Sequence, residues 1–400
     1  MLNMLIWLAV VLVLFAIGDL IAKLTHARIS SVFATLMLFL ILFVTGIIPS
    51  DIIDRAGLTS ASSWSLPMLL FAMGSMINLR QFIDEWRTVV TCWLGIIAVI
   101  ICVSLTIPII GKDMALASIP VINGALPATT IMVNAANEAG YPLAAALATI
   151  AFAVQKFVGT PFASNASLKY ARRIIVEYRE AKAAGRVEEY VASTSGSRKA
   201  KPAAEPKPKR VKFAEKFDSF YSNNVCILLA VAGGLLSVWL GELTGINYAI
   251  LGLVLGVIFT QIGIVPQNLL QKGQTSGFIN MVVFAAIIPS LGDISLANLV
   301  QLIFPLIVVF AVSVVAIFLM MKVLPAWKIM GDKSMAFGIG FCQMLGFPST
   351  YLISVEVCNA VAENEEENEF LMSKVMPRLV VGGMAAMVSI IVAGVMAGML

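Results

Sequence analysis

The chain is 400 residues long, 60% of them apolar and only 12% charged, with a mean hydropathy of +0.94. Soluble domains run at about 45–50% apolar and about 25% charged, so this composition excludes an ordinary cytosolic enzyme, a disordered chain and a disulfide-rich secreted domain. The net charge of +4 is small, but 14 of the 27 Lys and Arg lie between Lys169 and Lys216, so the basic character belongs to one segment.

A hydrocarbon core about 30 Å thick needs about 20 apolar residues per helical crossing. Such segments are predicted at 3–22, 30–49, 64–79, 88–110, 114–136 and 142–168. The first lacks a basic n-region and a small-residue cleavage site, so it is expected to be a retained span. Its carboxylate Asp19 has Lys23 at i+4, which predicts an intrahelical pair near the cytoplasmic interface; a proton or coupling-ion role for Asp19 is the second reading. The fifth segment, SIPVINGALPATTIMVNAAN, has Gly124 and Pro127 at its centre, with Asn123, Thr129, Thr130 and Asn134 around them. Gly and Pro leave backbone amides and carbonyls without helical partners, and in a membrane that is tolerated only inside protein or beside a polar cavity. The sixth segment carries Lys156 midway along, too deep to snorkel to either interface. An ionisable residue at such depth is read as functional, either as a ligand for an anion or as a proton carrier.

From Lys169 the chain reads as an amphipathic helix leaving the membrane, followed by a Pro/Ala/Lys-rich linker. Positive-inside topology accounts for its charge; contact with anionic lipid is the alternative, and no nucleic-acid partner is expected. Further segments are predicted at 224–241, 247–265, 276–292, 299–321, 334–360 and 370–400. The expected division is a first membrane repeat over 1–168, a cytoplasmic linker over 169–222 and a second repeat over 223–400. The penultimate segment, AFGIGFCQMLGFPSTYLISVEVC, has its own break at Gly346 and Pro348, flanked by Ser349, Thr350 and Ser354. The acidic run ENEEENE at Glu363–Glu369 is expected to be a solvated loop. In the last segment Lys374 and Arg378 share one helical face, either as a second cationic cluster for substrate or as partners of Glu356 and the acidic run. The five cysteines are isolated and His26 is the single histidine, so no resident cofactor or metal is expected beyond possible sodium ions.

The two halves repeat. Gly46, Pro49 and Arg55 match Gly263, Pro266 and Lys272; Met68–Ala72 matches Met281–Ala285; Pro127 and Thr129 match Pro348 and Thr350; Lys156 matches Lys374. The offsets are 217, 213, 221 and 218, in one order along the chain. If all six segments of a half crossed, Lys23, Arg28, Arg80 and Arg87 would face away from the basic linker's side, against the positive-inside rule. If the broken segment of each half dips in and returns, each half has five crossings and the halves are inverted. Those residues then join the linker, Lys272, Lys322, Lys328 and Lys333 on the cytoplasmic side, leaving Arg55 and Lys112 outside with both termini. The expected fold is therefore an all-α polytopic membrane protein of two inverted five-helix repeats, each with a broken helix or re-entrant hairpin.

This layout, with the breaks NGALPATT and MLGFPSTY before the last helix of each repeat, resembles the sodium:glutamate symporter family. It is similar, more widely, to that of 2-hydroxycarboxylate symporters, bile-acid transporters and sodium/proton antiporters. The resemblance implies that Gly124–Thr130 and Gly346–Tyr351 are hairpin tips meeting at a substrate site. It further implies an elevator-like core working against a scaffold in a homodimer. The expected function is secondary transport of a small organic anion, an amino acid such as glutamate or a di- or tricarboxylate, coupled to sodium or protons across the plasma (inner) membrane. A cation/proton antiporter using Lys156 and Asp19 and a passive channel or exporter are the alternatives. An enzyme is not expected, because clustered acid/base or metal-ligating residues are not visible.

Overall fold

The computed structural model describes residues 1–25, 31–124, 126–186, 190, 213–292, 296–347 and 349–400. His26, Arg28, Pro348 and residues 187–189 and 191–212 of the basic linker lie outside the described residues. Among the described residues every regular element is helical and no strand occurs. Numbering the longer helices in chain order, the first half has α1 (Leu2–Leu24), α2 (Ser31–Val44), α3 (Leu58–Met76), α4 (Trp86–Ser104), α5 (Lys112–Ile122), α6 (Leu126–Glu138) and α7 (Pro142–Ala183). The second half has α8 (Asn223–Thr244), α9 (Tyr248–Ile262), α10 (Ser276–Ala285), α11 (Leu296–Phe318), α12 (Lys333–Leu345), α13 (Ser349–Asn359), α14 (Glu365–Ala385) and α15 (Ser389–Ala397).

Among the described residues six helical stretches are long and apolar enough to cross a membrane: Leu2–Leu24, Trp86–Ser104, Pro142–Ala183, Asn223–Thr244, Ala297–Val323 and Glu365–Ala397. A helix satisfies its own backbone groups, which is what lets so apolar a chain exist in lipid. Polar residues fix where helices begin and glycines where they end. Asp332 Oδ1 accepts from Met335 N at 2.6 Å to start α12, and Asn364 Oδ1 accepts from Glu367 N at 2.9 Å to start α14. Gly245 and Gly263 close α8 and α9 in the left-handed region, at φ 71° and 92°.

Helices α3 and α9 cross backbone to backbone. A Cβ on Gly74 would stand 2.7 Å from Val257 N and 2.8 Å from Gly256 Cα, so only glycine fits. Small residues at a crossing allow this approach, and the dispersion contacts it creates replace a hydrophobic drive that lipid cannot supply.

Helix α7 is the axis of the other half of the molecule. Its N-terminal part is a run of small residues, with Ala144, Ala145, Ala146, Ala148 and Ala151 fully buried. Two helix–break–helix units pack on it. Along α12 the contacts run opposite to α7: Asp332 pairs with Arg173, Gly338 lies against Ser167, and Met344 and Leu345 lie against Gly159. Helix α13 then returns, so that Asn359 Oδ1 accepts from Asn368 Nδ2 beside the start of α14. Helix α5 begins at the opposite end of the molecule, where Lys112 Nζ donates to Met399 O at 2.6 Å. Its break at Gly124 reaches α7 through Gln155 Nε2, which donates to Gly124 O at 3.3 Å. Helix α6 then returns, and its Asn134 and Glu138 share a cavity wall with Gly394 and Gly398 near the end of α15. The two units thus reach the middle of α7 from opposite ends, and their breaks stand one helical turn apart, at Gln155 and Gly159.

The amphipathic extension of α7 expected from the sequence runs without interruption to Ala183. Two features differ from the sequence reading. The acidic run is not a loop: Glu365, Glu366 and Glu367 form the first turn of α14 and pair with α7. The last apolar segment is not continuous either, since a 3-10 turn at Ala386–Val388 separates α14 from α15 at the depth of the breaks.

Candidate functional site

The two breaks face each other. Pro127 and Ser389 on one side and Gly346, Phe347 and Gly383 on the other enclose a gap of about 20 Å³. Around it sit buried polar atoms that lack a hydrogen-bond partner among the described residues: both amide atoms of Asn123, Gln155 Oε1, Thr350 Oγ1 and Ser389 Oγ. Burying a polar group without a partner costs about 1–3 kcal/mol, so such a concentration is unusual for packing alone and characteristic of sites that bind something polar. Gly124 makes the close approach possible, since a Cβ there would stand 2.8 Å from Ser389 Cβ and overlap its hydroxyl.

Beside this junction opens a cavity of about 610 Å³. Its wall takes Asp19 and Ser31 from the first two helices, Leu126 and Pro127 from the first break, and Phe347 and Ser349 from the second. Gln155 and Lys156 come from α7, and the turn Asn268–Gln271 closes the side that leads to the Asp218–Lys272 ion pair. Its volume falls within the range of about 300–1,000 Å³ usual for small-molecule sites. Lys156 has neither an ion pair nor a hydrogen bond among the described residues. Asp19 accepts from Ser31 Oγ rather than pairing with Lys23. The i+4 spacing made Lys23 reachable, but the neighbouring helix offers a donor at the cavity wall.

The other sequence-derived residues are placed as follows. Gly124, Pro127, Gly346, Thr350 and Asn123 lie at the junction, while Pro348 is outside the described residues. Ser349 borders the 610 Å³ cavity. Thr129 is buried in α6, and Thr130 Oγ1 donates to Leu126 O at 3.0 Å within that helix. Ser354 Oγ is likewise turned back to Tyr351 O at 2.6 Å. Asn134 borders the outer cavity near the end of α15 instead. Lys374 and Arg378 do not reach the cavity. Arg378 donates to Tyr170 Oη and lies 5.3 Å from that ring, and Lys374 is buried with its Nζ 6.0 Å from the Phe370 ring. Tyr170 is about 21 Å along α7 from Lys156 at 1.5 Å per residue, so the two cationic positions serve different levels of the molecule.

Gln155 and Ser389 are site residues that sequence reasoning missed. Gln155 adjoins Lys156 and so had a signal; Ser389 is a single polar residue in an apolar run whose depth and facing only packing reveals.

At the far end of α7 a charged cluster ties its extension to the start of α14. Arg179 grips Glu367 through two bonds of 2.7 Å and reaches Glu363 at 3.0 Å, while Tyr178 and Lys182 bond Glu366 at 2.8 and 2.5 Å. These acidic residues precede the apolar part of α14. Hydrogen bonds from Lys182 and then Tyr178 hold the Glu366 carboxyl below its ordinary range, and the Arg179 bond does the same for Glu367.

Taken together, the all-helical fold of the described residues and the six long apolar helices among them mark a helical membrane protein. The chain matches no protein-family model and no curated protein sequence.

Proposed function

We propose that the protein is a secondary active transporter of a small organic anion, driven by sodium or protons. The observation that carries this reading is Lys156: a cation without a protein partner among the described residues, on the wall of a 610 Å³ cavity where two broken helices meet. In a low-dielectric cavity such a cation attracts an anion. The orphaned oxygens of Asn123, Gln155 and Ser389 offer hard ligands to a coupling sodium.

The finer architecture belongs to the same reading. The two helix–break–helix units are re-entrant hairpins entering from opposite faces, each within one of two inverted five-helix repeats, 1–168 and 223–400. The matched offsets along the sequence and the opposed contacts along α7 support it. The basic linker, 169–222, is cytoplasmic, the membrane is the plasma (inner) membrane, and a homodimeric scaffold carries an elevator-like core; these last points rest on resemblance.

A second reading, a cation/proton antiporter, is favoured by one observation: Asp19 shares the cavity wall with Lys156. The deciding experiment is thermal unfolding of the purified protein with carboxylates and amino acids, in sodium and in potassium, for wild type and Lys156→Ala. Ligand binding raises apparent stability by mass action. A sodium-dependent shift with one organic anion, absent in Lys156→Ala, supports the transporter. Shifts with cations or pH alone reject it in favour of the antiporter.

A further inference from the structure

We infer that the transported solute is a net-neutral zwitterion, an α-amino acid with an apolar side chain, and not a dicarboxylate. The inference rests on the transport reading and narrows it: the solute keeps the carboxylate that Lys156 attracts and carries an ammonium group beside it, so that its net charge is zero. Among the described residues the 610 Å³ cavity presents one cation, Lys156, and one carboxylate, Asp19; its other polar walls are uncharged. A dicarboxylate needs two cationic partners, and here its second carboxylate would meet Asp19 instead. The second cationic pair that could have served it, Lys374 and Arg378, lies far down α7 and faces Tyr170 and Phe370. A zwitterion satisfies both charges at once, its carboxylate toward Lys156 and its ammonium toward Asp19. Ser31, which donates to Asp19, holds that carboxylate in place without cancelling its charge. The remaining wall is largely apolar, with Phe15, Met73, Phe152, Phe284 and Phe347, which suits a hydrocarbon side chain and leaves a third charge without a partner.

The test is ligand-induced thermal stabilisation of the full-length protein in detergent, with five probes: L-leucine, 4-methylpentanoate (no amino group), 3-methylbutylamine (no carboxylate), succinate and L-glutamate. Wild type should bind leucine roughly tenfold or more tighter than either truncated analogue, because a site built for a charged group rejects ligands lacking it. Asp19→Asn should bring leucine and 4-methylpentanoate to similar affinity, and Lys156→Met should abolish leucine binding while Lys156→Arg keeps it, each variant being monodisperse by gel filtration. Succinate or glutamate binding more tightly than leucine overturns the inference and leaves anion transport standing. Leucine binding unchanged in Asp19→Asn overturns the role given to Asp19, and with it the inference. Stabilisation by cations or pH with none from any organic probe overturns both the inference and the transport reading beneath it.

Discussion

Gly124→Ala tests whether the first break is held against α15 by contact rather than merely lying near it. Gly124 does not sit at a positive φ, so alanine brings no backbone strain there and the effect is steric. The new Cβ would overlap Ser389 Oγ, stand 2.8 Å from Ser389 Cβ and 3.0 Å from Ala128 Cβ. Rotating Ser389 removes the clash with its hydroxyl but not the one with its Cβ, so the backbone of the break or of α15 must move. Overpacking of this kind costs about 1–3 kcal/mol. Ser389→Gly removes both offending atoms and by itself costs about 0.5 kcal/mol in helix propensity. The double variant should therefore recover most of the loss, a coupling of about 1–2 kcal/mol, and Ser389→Ala should recover only part of it. Equilibrium unfolding in mixed micelles measures the four proteins of this cycle and the Ser389→Ala variants beside them. If the two substitutions simply add, the break does not bear on Ser389 and the junction described above is wrong.

Gln155→Leu should change stability by less than about 1 kcal/mol, since it removes one long hydrogen bond and one orphaned oxygen together, yet it should abolish any sodium-dependent thermal shift. A retained sodium response would remove Gln155 from the coupling site. Gly74→Val forces a side chain into the backbone of α9 and should cost about 1–3 kcal/mol or more, read by unfolding midpoint; Gly277→Val, where a Cβ meets open space, is the control. The cluster at the end of α7 should be acid-labile. The folded carboxyls of Glu366 and Glu367 titrate below their unfolded values, so their stabilisation is present above the unfolded pKa and is lost as pH falls through the folded one. Arg179→Gln should therefore lower the unfolding midpoint at pH 7 and lower it progressively less as the pH is taken down through the carboxylate range; an equal loss throughout would deny the ionic origin of the contact.

Much of this site was open to reading from residue order alone, for identifiable reasons. Gly124 and Pro127, and Gly346 in the second half, interrupt apolar runs, and a break in a buried helix must face something polar. Lys156 stands out because its distance from either end of an apolar segment is a matter of counting. Asp19 and Lys374 are less transparent for the opposite reason. Helical periodicity states which neighbours a residue can reach on its own helix, and a donor from another helix, Ser31 for Asp19, competes without any local signal. Matching Lys156 with Lys374 by repeat register says nothing about depth, which depends on how far α14 extends beyond the apolar layer before it turns inward. The acidic run reads as solvated until the extension of α7 is known to lie against it, since Arg179 and Lys182 are remote in sequence.

Helix α7, 42 residues without a break, is about 63 Å long at 1.5 Å per residue. It touches both breaks near its middle, at Gln155 and Gly159, and just beyond them Pro161 removes one backbone hydrogen bond. From there about 33 Å of rigid helix reaches Ala183. A bend of five degrees at Pro161 would sweep that end sideways by about 3 Å, dragging the start of α14 through Arg179 and Lys182. The helix thus has the mechanics of a rocker arm, able to convert sub-ångström adjustment at the two breaks into displacement at its far end.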